Sequence, residues 1–224
     1  MDLGVVCVAA GRGRRFGGDK LASTLGGRPV LAVAVEALRR AFPQAPLAVV
    51  LPPGRVEHWR SRVLEAAEDA ILVEGGELRQ DSVRGGVEAV AARGAKLALV
   101  HDAARPLLDP VDARRLVEAL GDADGAILAR RIPDTVKRVD GQGWVRATVP
   151  RDDLWLALTP QVFSVASLRE GWRSQAPDAV WTDEAALLEA SGRAVRVVEA
   201  RRLSPKLTTA DDLELLRTML EVRR

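Results

Sequence analysis

The chain has 224 residues, enough for one α/β domain whose core needs no cross-links. Its 33 basic and 31 acidic residues leave a net charge of +2, too even for general nucleic-acid affinity, and its few aromatics include no Tyr to stack a single strand. Cys7 is the one cysteine, so no internal disulfide can form; with no leader pattern and no apolar run near the ~20 residues that span a bilayer, a cytoplasmic chain with neither membrane nor nucleic acid as partner is expected.

Strand and helix signals alternate along the chain. Val5–Ala9 is a short apolar run that ends in a Gly-rich stretch, and Leu31, Ala34, Val35 and Leu38 then recur at helical spacing after Pro29. Pro46–Leu51 reads as a strand, Val56, Trp59 and Val63 as a helix face, and Ala70–Val73 as a third strand closed by Gly75 and Gly76. Val83, Val87 and Val90 mark a helix, Leu97–Val100 a strand ending at His101-Asp102, Val111–Leu120 a helix and Ala126–Ala129 a strand. Two alternating segments, Thr135–Val139 and Trp144–Val149, flank Asp140-Gly141-Gln142-Gly143 and predict a β-hairpin. An isolated hairpin is marginal in water, and pattern alone favours its folding back on its own sheet. Gln161–Val165 reads as a strand, Thr182 as a helix N-cap followed by Asp183 and Glu184, and Val195–Val198 as a late strand. Thr209-Ala210-Asp211-Asp212 has the form of a capping box before a helix with inner face Leu213, Leu216 and Leu220. Buried strands alternating with helices predict a doubly wound, mostly parallel sheet, and the simplest organisation is one domain over 1–224 with a protruding β-hairpin arm at about 133–152.

Ligands of such sheets sit at the carboxyl ends of the strands, which directs attention to three loops. After the first strand come Gly11, Gly13, Gly17 and Gly18 among Arg12, Arg14, Arg15 and Lys20, a backbone that can close around a phosphate with cations beside it. Neither familiar glycine signature is present. The dinucleotide fingerprint needs glycine where Phe16 stands, and a P-loop needs Gly-Lys-Ser/Thr where Gly18-Asp19-Lys20-Leu21 stands. His101-Asp102-Ala103-Ala104-Arg105-Pro106 places Asp102 to hold a hard cation such as Mg²⁺, or to serve as a turn carboxylate, with Arg105 beside it for an anion. His101, with no matched acid, reads as structural. Gly75–Ser82 suits either a base-reading loop or a plain glycine turn with a helix cap. Lys206, near Thr208, means little unaided.

Taken in order, these stretches resemble the 2-C-methyl-D-erythritol 4-phosphate cytidylyltransferase family. The resemblance rests on Ala9-Ala10-Gly11-x-Gly13-x-Arg15 with Lys20, Gly76-x-x-Arg79-x-x-Ser82 and the hexapeptide from His101 to Pro106. It continues through Asp134-Thr135-Val136-Lys137, Arg151, Leu158-Thr159-Pro160-Gln161, Thr182-Asp183-Glu184-Ala185 and Lys206, from about Val5 to Leu213. Glu77 stands where the family has Asp, and Ser204-Pro205-Lys206 where Asn-x-Lys is commoner. The resemblance implies a Rossmann-like α/β sheet and an Mg²⁺-dependent transfer between CTP and a sugar-alcohol phosphate, in non-mevalonate isoprenoid precursor synthesis, by a homodimer whose hairpin arms cross to the partner. It implies that Ala9, Ala10, Gly11, Gly13, Gly76, Arg79 and Ser82 bind the nucleotide, that Arg15 and Lys20 clamp the triphosphate, and that Asp102 takes the metal. Arg105, Thr135, Arg151, Thr182 and Lys206 would surround the sugar phosphate, with Thr135 and Arg151 offered across the dimer. Another polyol phosphate, such as ribitol phosphate, and a non-catalytic nucleotide-binding regulator are the alternatives.

Overall fold

The computed structural model describes residues 2–11, 16–176 and 178–222. The first strand, β1 (Leu3–Val8), is buried along its whole length. Its alternate side chains face opposite ways, as a strand's must. Val5 and Cys7 join one apolar cluster, and Val6 and Val8 join another on the opposite face of the sheet. Burial pushes the Cys7 thiol up to about 12, so it stays a neutral packing group.

A small ribbon, β2 (Thr24–Leu25) and β3 (Arg28–Pro29), leads into α1 (Val30–Ala41). That helix buries Leu31, Ala34, Val35 and Leu38 against the first cluster. Then come β4 (Leu47–Leu51), α2 (Val56–Ala66), β5 (Ile71–Glu74) and α3 (Arg79–Ala91). Val83, Val87 and Val90 of α3 are fully buried, each contributing about 1.5–3 kcal/mol of apolar burial. Gly86 lets the helix seat closely: a Cβ there would lie 2.4 Å from Val6 Cγ1 and 2.8 Å from Val50 Cγ2. After β6 (Leu97–Asp102), α4 (Pro110–Ala119) starts at Asp109, whose side chain accepts from the Val111 and Asp112 amides.

The second half departs from simple alternation. β7 (Gly125–Arg131) is followed by β8 (Val136–Val139) and β9 (Val145–Val149). These two form a separate antiparallel ribbon and do not extend the main sheet, which corrects the expectation that the hairpin folds back onto it. The turn closes on its own polar groups, because Asp140 Oδ1 accepts from the Gln142 and Trp144 amides and Gly143 takes φ +87°. Val139, Trp144 and Val145 stand in solvent on this ribbon.

The chain returns through β10 (Trp155–Ser164), much longer than the five residues expected from pattern. Val165 does not belong to it but opens α5 (Val165–Ser174), a helix not among the expected elements although Val165, Leu168 and Trp172 recur at helical spacing. α6 (Glu184–Ala190) is capped by Asp183, which accepts from the Ala186 amide at 3.0 Å; Thr182, expected as the cap, lies exposed one residue earlier. β11 (Val195–Glu199) and α7 (Ala210–Val222) complete the chain. At the start of α7 the Asp212 carboxylate accepts from the Thr209 amide at 2.8 Å, the acidic half of the expected capping box. Leu213 and Leu216 bury inward, against Leu107 and Leu207.

The main sheet runs β11-β7-β10-β6-β1-β4-β5, and all its pairings are parallel except those of β10 with β6 and β7. From β1 the chain winds outward to β4 and β5, then crosses back to place β6 on the other side of β1. That reversal opens a crevice beyond the carboxyl ends of β1 and β6, where Val8 and Asp102 are register partners.

Candidate active site

Three loops meet at this crevice. The chain leaving β1 is guided by the Ala9 amide, which donates to Val50 O at 2.8 Å, and Ala9, Ala10 and Gly11 then line the cleft. Opposite them, Gly75 comes so near that an added Cβ would lie 2.4 Å from Ala10 Cβ and 2.9 Å from Ser82 Oγ. Only glycine fits between these loops. The Gly76 amide donates to Ser82 Oγ at 3.1 Å, and that hydroxyl donates to Leu78 O at 3.2 Å, so Ser82 fixes the shape of the turn from the buried side. Gly76, Arg79 and Ser82 therefore line the same cleft as Ala9, Ala10 and Gly11.

Asp102 forms the floor. Its amide donates to Thr159 Oγ1 at 3.1 Å, and its carboxylate takes Lys206 Nζ at 2.6 Å and faces an Arg79 guanidinium nitrogen at 3.6 Å. Burial alone would raise its pKa; Lys206 first and Arg79 second overcome that and bring it down to about 2. Arg79 is itself gripped, with one nitrogen donating to both oxygens of buried Glu184 at 2.9 and 3.0 Å. Burial works against the charged guanidinium, but Glu184 and Asp102 outweigh it and raise its pKa.

Lys206 reaches the floor because its loop is tied down on several sides. The Leu207 amide donates to Ala104 O at 2.7 Å, Lys20 Nζ donates to Leu207 O at 3.4 Å, and Arg105 donates to Ser204 O. Further back, buried Asp112 accepts from the Arg201 amide at 2.8 Å. His101 is wholly buried, its Nε2 bonded to Arg105 O at 2.9 Å, and burial pulls its pKa down to about 4. It holds the hexapeptide's backbone as a neutral ring.

Of the residues expected at the site, Ala9, Ala10, Gly11, Lys20, Gly76, Arg79, Ser82, Asp102 and Lys206 line one cleft, and Arg105 props its edge. Thr182 is exposed on the approach to α6. Thr135 and Arg151 are exposed, at either end of the hairpin, and are not among the residues that line the cleft. Gly13 and Arg15, with Arg12 and Arg14, fall outside the described residues. Sequence reasoning missed Thr159 as the support of Asp102 and Glu184 as the holder of Arg79. An acid directly before the buried Ala185 was the available signal for the second.

Among the described residues no group of three or more His, Cys, Asp or Glu could enclose a metal. Mg²⁺ needs no such cage when it arrives with a polyphosphate, since one or two carboxylates, phosphate oxygens and water complete its octahedron. Asp102, kept ionised at the end of β6, fits that arrangement.

A crevice at a strand-order reversal, floored by an ionised carboxylate and flanked by two lysines, marks a doubly wound α/β protein with a ligand cleft beyond its strand ends. The sequence model of the 2-C-methyl-D-erythritol 4-phosphate cytidylyltransferase family matches residues 3–222, and the chain belongs to that family. Among relatives, the enzyme of that name from Synechococcus sp. (strain WH7803) is 40% identical, the match covering 98% of this chain and 99% of the relative. A bifunctional IspD/IspF enzyme from Rhodospirillum rubrum is 42% identical across 95% of this chain, which spans 55% of that longer protein. The solved structure of the 2-C-methyl-D-erythritol 4-phosphate cytidylyltransferase from Thermus thermophilus superposes with a TM-score of 0.78 at 32% identity, covering 99% of this chain and 100% of that one.

Proposed function

We propose that the chain is a cytoplasmic, Mg²⁺-dependent cytidylyltransferase that joins CTP to 2-C-methyl-D-erythritol 4-phosphate, releasing pyrophosphate, in non-mevalonate isoprenoid precursor synthesis. One observation carries the reading: the Asp102–Lys206 pair at 2.6 Å stands between the glycine loop and the Gly76–Ser82 turn, in a chain whose family match runs nearly end to end. A phosphate monoester has its second pKa near 6, so at neutral pH the acceptor is already a nucleophile and no general base is needed. That agrees with a cleft whose neighbouring histidine is buried and neutral. An oxygen of the acceptor phosphate forms a bond to the α-phosphorus of CTP, and the bond to the bridging oxygen of the β-phosphate breaks, that oxygen leaving with pyrophosphate. The obstacle is the approach of two polyanions, so catalysis is positioning and charge neutralisation. Mg²⁺, held by Asp102 and phosphate oxygens, would supply Lewis-acid neutralisation of the triphosphate. Lys20 and Arg15 clamp the triphosphate, and Lys206, freed from Asp102, meets the incoming phosphate. Ala9, Ala10, Gly11, Gly13 and the Gly76–Ser82 turn seat the nucleoside, while Arg105 and Thr182 border the acceptor.

We further infer a homodimer that completes each acceptor site with Thr135 and Arg151 of the other hairpin. Its support is the exposed apolar set Val139, Trp144 and Val145, left uncovered by the chain's own sheet.

Pyrophosphate release tests the reaction. CTP with 2-C-methyl-D-erythritol 4-phosphate is expected to outpace UTP, ATP or GTP with the same acceptor, and CTP with ribitol phosphate. Equal turnover across nucleotides would refute base selection, and preference for ribitol phosphate would refute the acceptor. CTP binding with no pyrophosphate from any acceptor would mark a non-catalytic regulator.

A further inference from the structure

The first turn of α3 does more than open a helix. Arg79, its first residue, sends one guanidinium nitrogen to both oxygens of Glu184 at 2.9 and 3.0 Å, while another lies 3.6 Å from Asp102 Oδ1. Gln80, the next residue, donates to Ala179 O and accepts from the Trp181 amide, both at 2.8 Å. The nucleotide-side turn is thus pinned at several points to the segment that carries Thr182.

Arg79 stands between two carboxylates, and the distances show which one holds it. A guanidinium fork matches a carboxylate with two parallel bonds, and it would make that match with Asp102 if nothing drew it elsewhere. Glu184 is only 3% exposed, so its attraction for Arg79 is weakly screened. We propose that Glu184 is a positioning residue for nucleotide binding: by engaging Arg79 it keeps the guanidinium 3.6 Å from Asp102, short of a bidentate pairing with that carboxylate, and fixes the fork beside the Gly76–Ser82 turn. A clamp that merely joined α6 to α3 would affect folding alone. This one acts on ligand affinity through a single intermediary. The inference rests on the reading of the cleft as a CTP site.

The test is CTP affinity, measured calorimetrically with Mg²⁺ on the full chain, for wild type, E184Q, E184D, R79A and the R79A/E184Q double variant, with thermal melts alongside. Loss of the outer partner of a metal ligand typically costs 10- to 100-fold, and a comparable loss is expected where the partner holds a binding arginine: E184Q should bind CTP at least roughly tenfold more weakly. E184D, which keeps the charge, should recover much of that loss. In the R79A background, E184Q should add nothing further. R79K, which leaves Glu184 in place but has no fork to share between two carboxylates, should weaken binding even if E184Q fails to fold. Wild-type affinity in folded E184Q or in R79K would overturn the proposal, as would additive losses in the double variant. Failure of wild type to bind CTP would instead overturn the nucleotide reading of the cleft.

Discussion

Lys20 and His101 show how one residue's surroundings decide its use. Lys20 lines the cleft at the end of the glycine loop, on the side where a triphosphate would lie. As charge moves onto pyrophosphate in the transition state, a nearby ammonium gains more there than in the ground state, and only that difference raises the rate. K20A is expected to lower the single-turnover rate roughly 10²–10³-fold while CTP affinity changes much less. A near-normal rate in a folded variant would leave the clamp to Arg15. For His101 the consequence is stability. Its folded pKa of about 4 lies below the ordinary histidine value of 6.5. Between those values the unfolded chain binds a proton that the folded chain refuses, so stability falls as pH drops through that window and levels off below it. The shift corresponds to about 3 kcal/mol. Asp102 acts lower down, since its depressed pKa gives stability that is present above about 3.8 and lost as pH falls through about 2. Urea unfolding between pH 7 and 4.5 should therefore show a weaker pH dependence in H101Q than in wild type, and parallel curves would refute the assignment.

The elements divide by how openly their packing is written in sequence. α1 and α3 bury large aliphatic residues at helical spacing, so their apolar faces are legible directly. α5 carries Val165, Leu168 and Trp172 at helical spacing, so its apolar face is legible too; what the sequence does not announce is the close seat of Gly171, where a Cβ would lie 3.1 Å from Leu187 Cγ. β10 reads short because Pro160 looks like a terminator, whereas the strand shifts register between Ala157 and Gln161 and continues. Asp102 and the glycine loops could be found as the ends of strands; Glu184 is marked in sequence only as an acid before Ala185, and its pairing with Arg79, 105 positions away, is made by folding. The same close packing yields a prediction. G86A must displace Val6 or Val50, so it is expected to cost about 1–3 kcal/mol in denaturant unfolding. An unchanged midpoint would mean that α3 can move off the sheet without cost.

At the scale of the whole molecule, subunit mixing tests the proposed pairing of hairpins. If Arg151 serves the partner's site, inactive K20A and inactive R151A protomers should regain activity when unfolded and refolded together, because one site of each mixed dimer keeps both residues intact. No recovery, with mixed dimers demonstrated by mass, would place Arg151 in its own subunit's site or outside the machinery. No helix among the described residues is long and apolar enough to cross a membrane. The measurement that bears most directly on the central claim is ³¹P NMR of the wild-type chain with CTP, Mg²⁺ and 2-C-methyl-D-erythritol 4-phosphate. Equimolar appearance of pyrophosphate and a pair of coupled diphosphate-diester resonances, with loss of the acceptor's monoester signal, is the expected result. CTP hydrolysis to orthophosphate with the monoester untouched, or no change at all, would contradict it.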